Sequence, residues 1–204
     1  LFWRPLDAAL VMPRRLSRLA GFEAVQATCA ELGWPIALRD TGGEPVPQSA
    51  AVLNVALAYA VPPKDHEQTR IETAYLRLCQ PLCEWLRGLG LEPGIGEVDG
   101  AFCDGRYNVT LDQRKLVGTA QRWRRRQTDG RYVTLAHAAI LLENQRQSMV
   151  EVVNTFYQGC NLETRCRASS HVALDELLMD VWPATVSLQE CYRRQLAEAG
   201  LALG

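Results

Sequence analysis

The sequence of 204 residues lacks the features that would place it in several broad classes of protein. No apolar run reaches the roughly 18 residues of a transmembrane helix, and no basic segment followed by an apolar one marks a signal peptide. The formal net charge is −1 at pH 7, which gives no sign of general binding to nucleic acid or to a membrane surface. We therefore expect a soluble, cytoplasmic protein with no nucleic-acid or membrane partner.

A regular cysteine framework is also missing. The number of cysteines is odd, which fits a reducing compartment better than a disulfide scaffold. The seven cysteines are Cys29, Cys79, Cys83, Cys103, Cys160, Cys166 and Cys191. Cys79 and Cys83 have a spacing that two metal ligands on a helix can have, but no second Cys/His pair lies at zinc spacing. A half-buried helix face is the favoured interpretation of this pair, and we predict no metal site.

The chain also lacks an initiator methionine, internal repeats and low-complexity tracts. It begins at Leu1, in a segment that reads as a strand, so we expect that residues upstream are missing. Apolar residues make up 48% of the sequence and charged residues 22%. A chain of this length and composition can form one substantial core, and we predict a single catalytic domain over residues 1–204 with a truncated N-terminus.

The hydrophobic pattern alternates between short extended runs and amphipathic helices. Helices are predicted over residues 21–33, 67–88, 149–157 and 187–199, with Gly33 ending the first and Pro81 kinking or splitting the second. Strands are predicted over residues 1–5, 9–12, 36–39, 53–59, 106–111, 115–125 and 131–142. Residues 13–18 and 40–47 read as loops, and Asp129-Gly130 is a hairpin signal. The expected fold is α+β, with a mixed, largely antiparallel sheet packed by helices.

Cys103 is the best candidate nucleophile among the cysteines. It lies in a glycine-flanked turn, where a thiolate is easier to reach than on a buried helix stripe. The hairpin that follows could bring Lys115 back toward this turn, where an ammonium would stabilise the oxyanion formed during acyl transfer. From spacing alone, an ordinary turn cysteine beside a solvated lysine is the favoured alternative.

The segment around these two residues resembles a known family. Its pattern is an aromatic-Cys-x-Gly turn, a Tyr-Asn strand and then Arg-Lys-x-x-Gly-x-Ala-Gln-Arg, from Phe102 to Arg122. This pattern resembles the lipoate-protein ligase, octanoyltransferase and lipoyl amidotransferase superfamily, most closely its cysteine-dependent transferase branch. The resemblance implies the biotin/lipoate protein ligase catalytic fold. It also implies that Cys103 carries the acyl group as a thioester and that Lys115 lies against the acyl carbonyl.

A second stretch extends the resemblance. Arg39-Asp40-Thr41-Gly42-Gly43-Glu44-Pro45-Val46, with Leu53-Asn54 downstream, is similar to the glycine loop that lines the acyl pocket in this family. Taken alone, Gly42-Gly43 is more simply an ordinary turn. His137 lies where ligases often have a histidine, although a core or edge histidine is the favoured interpretation. The predicted substrate-binding residues are Arg39, Thr41, Gly42, Gly43, Asn54, Arg106, Gly118, Ala120 and His137. His66 and His171 read as loop residues without a role.

Departures from the family pattern bear on the reaction. Glu44 replaces a third glycine, Gln48-Ser49 replaces a histidine-aspartate pair, and the sequence given ends after one closing helix. These differences favour an acyltransferase that needs no ATP over a ligase. Glu44 also predicts a carboxylate near a pocket for an apolar chain. Gln113, in place of glycine, indicates a less ideal hairpin turn.

The hypothesis from the sequence is an acyltransferase that acts on octanoate or lipoate and requires no cofactor. Its acyl donor would be acyl carrier protein or a glycine-cleavage H-like protein, and its acceptor a lysine on lipoyl domains of 2-oxoacid dehydrogenases. The alternatives are a ligase that uses ATP and Mg, with or without a separate accessory subunit, and a non-catalytic binder of lipoyl domains. The basic run Arg122-Trp123-Arg124-Arg125-Arg126 reads as a solvated strand edge or a docking surface for an acidic partner.

Overall fold

The computed structural model describes residues 1–61, 68–198 and 200, and in this part of the chain nine strands and four helices form two sheets with helices packed on them. The strands are β1 Phe2–Trp3, β2 Ala9–Pro13, β3 Ile36–Arg39, β4 Val46–Gln48, β5 Val52–Ala60, β6 Pro93–Gly96, β7 Asn108–Leu111, β8 Arg114–Arg125 and β9 Tyr132–Leu141. The helices are α1 Phe22–Glu31, α2 Arg70–Gly88, α3 Arg146–Gly159 and α4 Val181–Glu198.

The larger sheet has six strands in the order β1-β5-β9-β8-β7-β6, and every neighbouring pair is antiparallel. The smaller sheet has the order β3-β2-β4, with β2 parallel to β3 and antiparallel to β4. One parallel pair among antiparallel ones makes the architecture mixed but largely antiparallel. The α+β prediction is therefore confirmed.

The two faces of the larger sheet pack differently because side chains alternate along each strand. Leu53, Val55 and Leu57 of β5 belong to a core that also contains buried residues of α2 and α4. The intervening side chains, Asn54 and Ala56, point to the opposite face. A second core joins the smaller sheet to α1 and α3. The larger sheet thus has one face covered by helices and one face turned toward the smaller sheet.

Most of the predicted elements are present, with shifted ends. The strand 36–39 and the C-terminal end of the helix at Gly88 are as predicted, and Gly33 follows α1 with a φ of 83°. Both later helices begin earlier than predicted, at Arg146 and Val181. Residues 14–18 form a 3₁₀ helix rather than a loop. His66 and the predicted helix ends at Glu67 and Ala199 lie outside the described residues.

Pro81 does not split α2, which continues as one helix through the proline. A proline within a helix removes one backbone hydrogen bond and crowds the preceding turn. Here Tyr192 of α4 donates a hydrogen bond to the carbonyl of Leu78 in that turn, at 2.6 Å. Leu82 and Trp85, on the following turns, are buried against the sheet core. Tertiary packing therefore maintains the helix across Pro81.

The Asp112-Gln113 hairpin keeps the turn geometry although it lacks glycine. The φ angles of these two residues are 48° and 59°, in the left-handed region, and Leu111 pairs with Arg114 across the turn. A two-residue hairpin with both central residues in this region matches the twist of the flanking strands. The strand pairing holds Gln113 in a conformation that glycine adopts more easily.

Candidate active site

A cavity of about 450 Å³ lies between the larger sheet and the smaller sheet. Apolar side chains make up most of its wall, among them Trp3, Val11, Val46, Val52, Phe102, Leu116, Leu141 and Met149. Eight of the residues predicted from the sequence to form the site also line it: Arg39, Thr41, Asn54, Cys103, Lys115, Gly118, Ala120 and His137. A volume of this size is typical of a small-ligand site.

The floor of the cavity consists of two rows of residues across the central strands. Asn54 pairs with Ala139 and Ala139 with Gly118, while Ala56 pairs with His137 and His137 with Ala120. Four of these six residues are alanine or glycine. Because these side chains are short, the sheet leaves space above it that larger side chains would fill.

Cys103 lies in the wall with an unusual backbone conformation. Its φ is 49°, in the left-handed region, which is uncommon for a residue with a side chain and marks local strain. The backbone N–H of Glu44 donates a hydrogen bond to its Sγ atom at 3.3 Å. A methyl group built on Gly43 would lie 3.0 Å from the same sulfur. The glycine loop therefore closes directly on Cys103, and Gly43 is the residue that permits this approach.

Arg39 holds the glycine loop in place. Its Nη2 donates hydrogen bonds to the carbonyls of Gly42 (3.0 Å) and Glu44 (2.8 Å), and its Nη1 donates to the carbonyl of Val11 at 2.7 Å. Burial lowers the pKa of Arg39, and the nearby Cys103 and Glu44 oppose that effect. Its Nε and the Thr41 hydroxyl are buried without a hydrogen-bond partner in the part of the chain that the structure describes. Both groups are available to a ligand in the cavity.

The carboxylate of Glu44 does not line the cavity, contrary to the expectation from the sequence. It forms an ion pair with Arg15 of the 3₁₀ helix, and the same guanidinium donates to the carbonyl of Gly43 at 2.7 Å. The backbone of Glu44 faces Cys103 while its side chain points outward. The acidic residue is thus compatible with an apolar pocket.

A β-bulge explains how Lys115 comes to face the cavity. Val109 pairs with Val117 but Thr110 pairs with Lys115, so Leu116 is an extra residue in β8. Strict alternation would place Lys115 on the same face as Val117, which is buried in the core beneath α2. A bulge changes the direction of side chains locally, and Lys115 accordingly lines the cavity.

Lys115 is 3% exposed and bonds directly to the turn that carries Cys103. Its Nζ donates hydrogen bonds to the carbonyls of Phe102 and Cys103, each at 2.8 Å. Burial lowers the pKa of Lys115, and the neighbouring Cys103 and Asp104 oppose this shift. The third N–H of the ammonium has no acceptor among residues 1–61 and 68–198. A methyl group on Gly118 would lie 3.1 Å from Lys115 Cε, so Gly118 leaves room for the lysine chain.

Three predicted residues do not line the cavity. Arg106 is exposed and lies 3.9 Å from Glu97, away from the cavity, and Gly42 and Gly43 are also outside the wall, although Gly43 lies close to Cys103. His137 is half-buried in the wall, where burial and the nearby Arg39 lower its pKa to about 4. His137 is therefore neutral at pH 7 and can offer a hydrogen bond to a ligand.

The sequence prediction missed several residues of the site. His171 is buried, stacks on Phe102 and lines the cavity, although it read as a loop residue without a role. Gln48 accepts a hydrogen bond from Asn54 at 2.7 Å and also lines the cavity. His171 lies outside any periodic element, so no pattern in the sequence could have placed it beside Cys103. Among the described residues, no group of three or more His, Cys, Asp or Glu side chains could hold a metal ion, and no helix is long and apolar enough to span a membrane.

Residues 1–198 match the family described as the lipoyl protein ligase A/B catalytic domain. The chain belongs to this family. The predicted fold and the predicted superfamily are thereby confirmed. At the level of the family, the activity is lipoyl or octanoyl transfer for protein lipoylation.

Two relatives show how far the similarity extends. The chain is 36% identical to an uncharacterized protein of Cupriavidus necator over 84% of this chain and 71% of that protein. It is 32% identical to the Octanoyl-[GcvH]:protein N-octanoyltransferase of Kyrpidia tusciae over 70% of this chain. The second match covers 49% of the Kyrpidia enzyme, so the chain spans about half of that relative.

Solved structures show the same fold at low identity. A lipoate-protein ligase A bound with ATP superposes with a TM-score of 0.71 at 17% identity, covering 100% of this chain and 73% of the ligase. A putative lipoate protein ligase of T. acidophilum with bound lipoic acid gives a TM-score of 0.68 at 16% identity, covering 100% of this chain and 73% of that one. At these identities the likeness concerns the fold alone.

Proposed function

We propose that this protein transfers an octanoyl or lipoyl group, through a thioester on Cys103, to the ε-amine of a lysine on a lipoyl domain. The observation that carries the proposal is the pairing of Cys103 and Lys115 in the wall of an apolar cavity. The buried ammonium donates to the carbonyl of Cys103 itself, at 2.8 Å. A nucleophile and a cation are thus held together where an acyl chain can be accommodated.

The first step is attack of the Cys103 thiolate on the carbonyl carbon of the donor. The carbonyl oxygen gains negative charge, which Lys115 stabilises with its third N–H. The leaving amine or thiol of the donor takes up the proton that Cys103 has lost, and the acyl chain stays in the cavity. The N–H of Glu44, 3.3 Å from Sγ, stabilises the thiolate before attack.

The second step is attack of the acceptor lysine on the thioester. The C–S bond breaks, an amide bond forms, and the proton released by the attacking amine returns to the thiolate of Cys103. Donor and acceptor occupy the same site in turn, so the reaction follows ping-pong kinetics. No step consumes ATP or requires a metal ion.

The relatives favour one donor over another. The Kyrpidia protein is named as a transferase that takes the octanoyl group from GcvH. We therefore propose a glycine-cleavage H-like protein as the donor and a lipoyl domain as the acceptor. Acyl carrier protein is the donor to be compared with it.

The experiment is incubation of the protein with octanoylated H protein or octanoyl-acyl carrier protein, without ATP, followed by intact mass measurement. We expect an adduct that hydroxylamine removes, because a thioester is labile to it and an amide is not. The sequence contains two lysines, at positions 64 and 115, so few amides could confuse the result. Cys103→Ala should abolish the adduct.

Cys191→Ala is the matched control, because Cys191 and Cys103 are both half-buried free thiols. Cys191 packs beside the helix-covered core and does not line the cavity. This variant should form the adduct at the rate of the unsubstituted protein. No adduct with either donor contradicts the transferase proposal. ATP-dependent transfer of free lipoate, unaffected by Cys103→Ala, would instead identify a ligase, and binding of a lipoyl domain without any adduct would identify a binder.

A further inference from the structure

His171 makes three contacts that link it to the turn before Cys103. Its ring stacks on Phe102 with centroids 4.2 Å apart, and its Nε2 accepts a hydrogen bond from the Phe102 N–H at 3.2 Å. Its Nδ1 lies 3.0 Å from the carbonyl of Arg167. Nε2 must be unprotonated to accept from an N–H, and Nδ1 must carry a proton to donate to a carbonyl. These partners therefore select the neutral tautomer that is protonated on Nδ1.

Phe102 is held at both of its backbone polar groups by residues of the site. The Nε2 atom of His171 accepts a hydrogen bond from the Phe102 N–H, and the ammonium of Lys115 donates one to the Phe102 carbonyl at 2.8 Å. The next residue is Cys103, whose left-handed φ of 49° is strained. A strained conformation persists only where surrounding contacts hold it in place. The two contacts on Phe102 supply that restraint on the N-terminal side of the cysteine.

His171 is itself firmly fixed. The N–H of Val172 donates to the carbonyl of Lys115 at 3.0 Å, which joins the His171 segment to β8. Arg146 of α3 donates to the carbonyl of His171 at 2.9 Å and forms an ion pair with Glu176 at 2.7 Å. These contacts anchor His171 to two separate elements, so it can act as a rigid support.

We infer that His171 is a positioning residue, which holds the Phe102 peptide so that Cys103 keeps its left-handed conformation and presents Sγ to the cavity beside Lys115. This inference rests on the proposed acyl transfer for its effect on rate, but its structural content is independent of the reaction.

The charges around His171 keep it in the neutral form that this contact needs. Burial lowers its pKa to about 4, with Lys115 and Arg146 acting in the same direction, while the Arg167 carbonyl and Asp104 oppose them. A proton on Nε2 would face the N–H of Phe102 and break the hydrogen bond. At pH 7 this conflict does not arise.

Two substitutions separate the hydrogen bond from the ring. His171→Phe keeps an aromatic ring against Phe102 and removes the acceptor, whereas His171→Gln provides an oxygen acceptor and removes the ring. We expect adduct formation at Cys103 to fall by roughly ten- to a hundredfold in His171→Phe, because small displacements of reacting groups cost this much. The concentration of donor needed for half-maximal rate should change little. His171→Gln should recover part of the rate.

Tyr192→Phe is the matched control, since it removes one hydrogen bond from a buried aromatic side chain in α4, remote from the cavity. It should lower stability without changing the rate per folded molecule. A His171→Phe rate equal to that of the unsubstituted protein would overturn the inference. So would a loss that the unfolded fraction fully explains.

A measurement that needs no acyl donor keeps this inference separate from the proposed function. In ¹⁵N NMR spectra at pH 7, the His171 ring should be protonated on Nδ1 and not on Nε2. The amide of Phe102 should exchange slowly with solvent, and at least tenfold faster in His171→Phe. Protonation on Nε2, or unchanged exchange in the variant, contradicts the positioning role. These two measurements test the positioning role even if no donor acylates Cys103.

Discussion

The two faces of the larger sheet are formed by the same strands, but one face packs against helices and the other lines the cavity. On the face beneath α2 and α4, β5 contributes Leu53, Val55 and Leu57 to a close-packed core. On the other face, the same strand contributes Asn54 and Ala56 to the floor of the cavity. Large apolar side chains fill the first space, and small ones leave the second open. The difference shows that this fold makes room for a ligand by omitting side-chain volume from one face of a sheet.

Lys115→Met should have the largest effect on the cavity face. The substitution keeps an apolar chain of similar length but removes the ammonium that bonds the carbonyls of Phe102 and Cys103. We expect the rate of adduct formation per folded molecule to fall by about 10²–10³-fold, the usual cost of losing an oxyanion donor. Rapid-quench mass measurement of the acyl adduct tests this, and a loss below tenfold would show that Lys115 has no part in the chemistry.

The contrast between the two faces is tested most directly by changing the side-chain volume on each of them. Leu82→Ala, in the core between α2 and the larger sheet, should lower the free energy of unfolding by about 2–5 kcal/mol and leave the activity of the folded fraction unchanged. Ala120→Leu, on the cavity floor, should have the reverse outcome, with stability nearly unchanged and weaker use of the acyl donor. Urea unfolding and steady-state kinetics of both variants decide the point. Equal effects of the two substitutions on donor use would remove the distinction.

Acid should lower the free energy of unfolding through two histidines that line the cavity, His137 and His171. His137 and His171 each have a pKa lowered to about 4, so the unfolded chain binds more protons than the folded one between about pH 6.5 and pH 4. Stability is therefore fully present above this window and falls as the pH decreases through it, by roughly 2–3 kcal/mol for the more deeply buried His171. Urea unfolding at pH 7, 5.5 and 4.5 measures the slope. The slope should be shallower in His171→Gln, and an unchanged slope would contradict the assignment.

Glu44→Gln should have the smallest effect. The Arg15–Glu44 ion pair is partly exposed, with side-chain exposures of 56% and 41%, so its loss should cost under about 1 kcal/mol of stability. The backbone N–H that contacts Cys103 is retained, and adduct formation should change by only a few fold. A loss as large as that of Lys115→Met would show that the outward ion pair is essential to the glycine loop. Kinetics at low and high salt provide the check.

Much of the fold follows from local patterns, but two strands, β4 and β6, were not predicted from the sequence. They contain Pro47 and Pro93, and proline is disfavoured inside a strand. Both strands lie at sheet edges, where proline is tolerated because one side of the strand makes no ladder hydrogen bonds. α4 begins at Val181 although Pro183 follows, because the first turn of a helix does not use the proline N–H. Edge position and helix position are properties that the sequence pattern did not reveal.

The sequence by itself determined the alternation of strands and helices and the hairpin at Asp112-Gln113, and it placed a turn cysteine and a lysine 12 positions apart. These depend on residues close together in the chain, where turn chemistry and periodicity act directly. Only the tertiary structure decided that a bulge at Leu116 turns Lys115 into the cavity, that Glu44 points outward to Arg15, and that His171 supports the turn before Cys103. Each of the last two contacts joins residues more than 25 positions apart, and the bulge depends on pairing between neighbouring strands. Local pattern carries no information about such contacts, because packing between elements sets them.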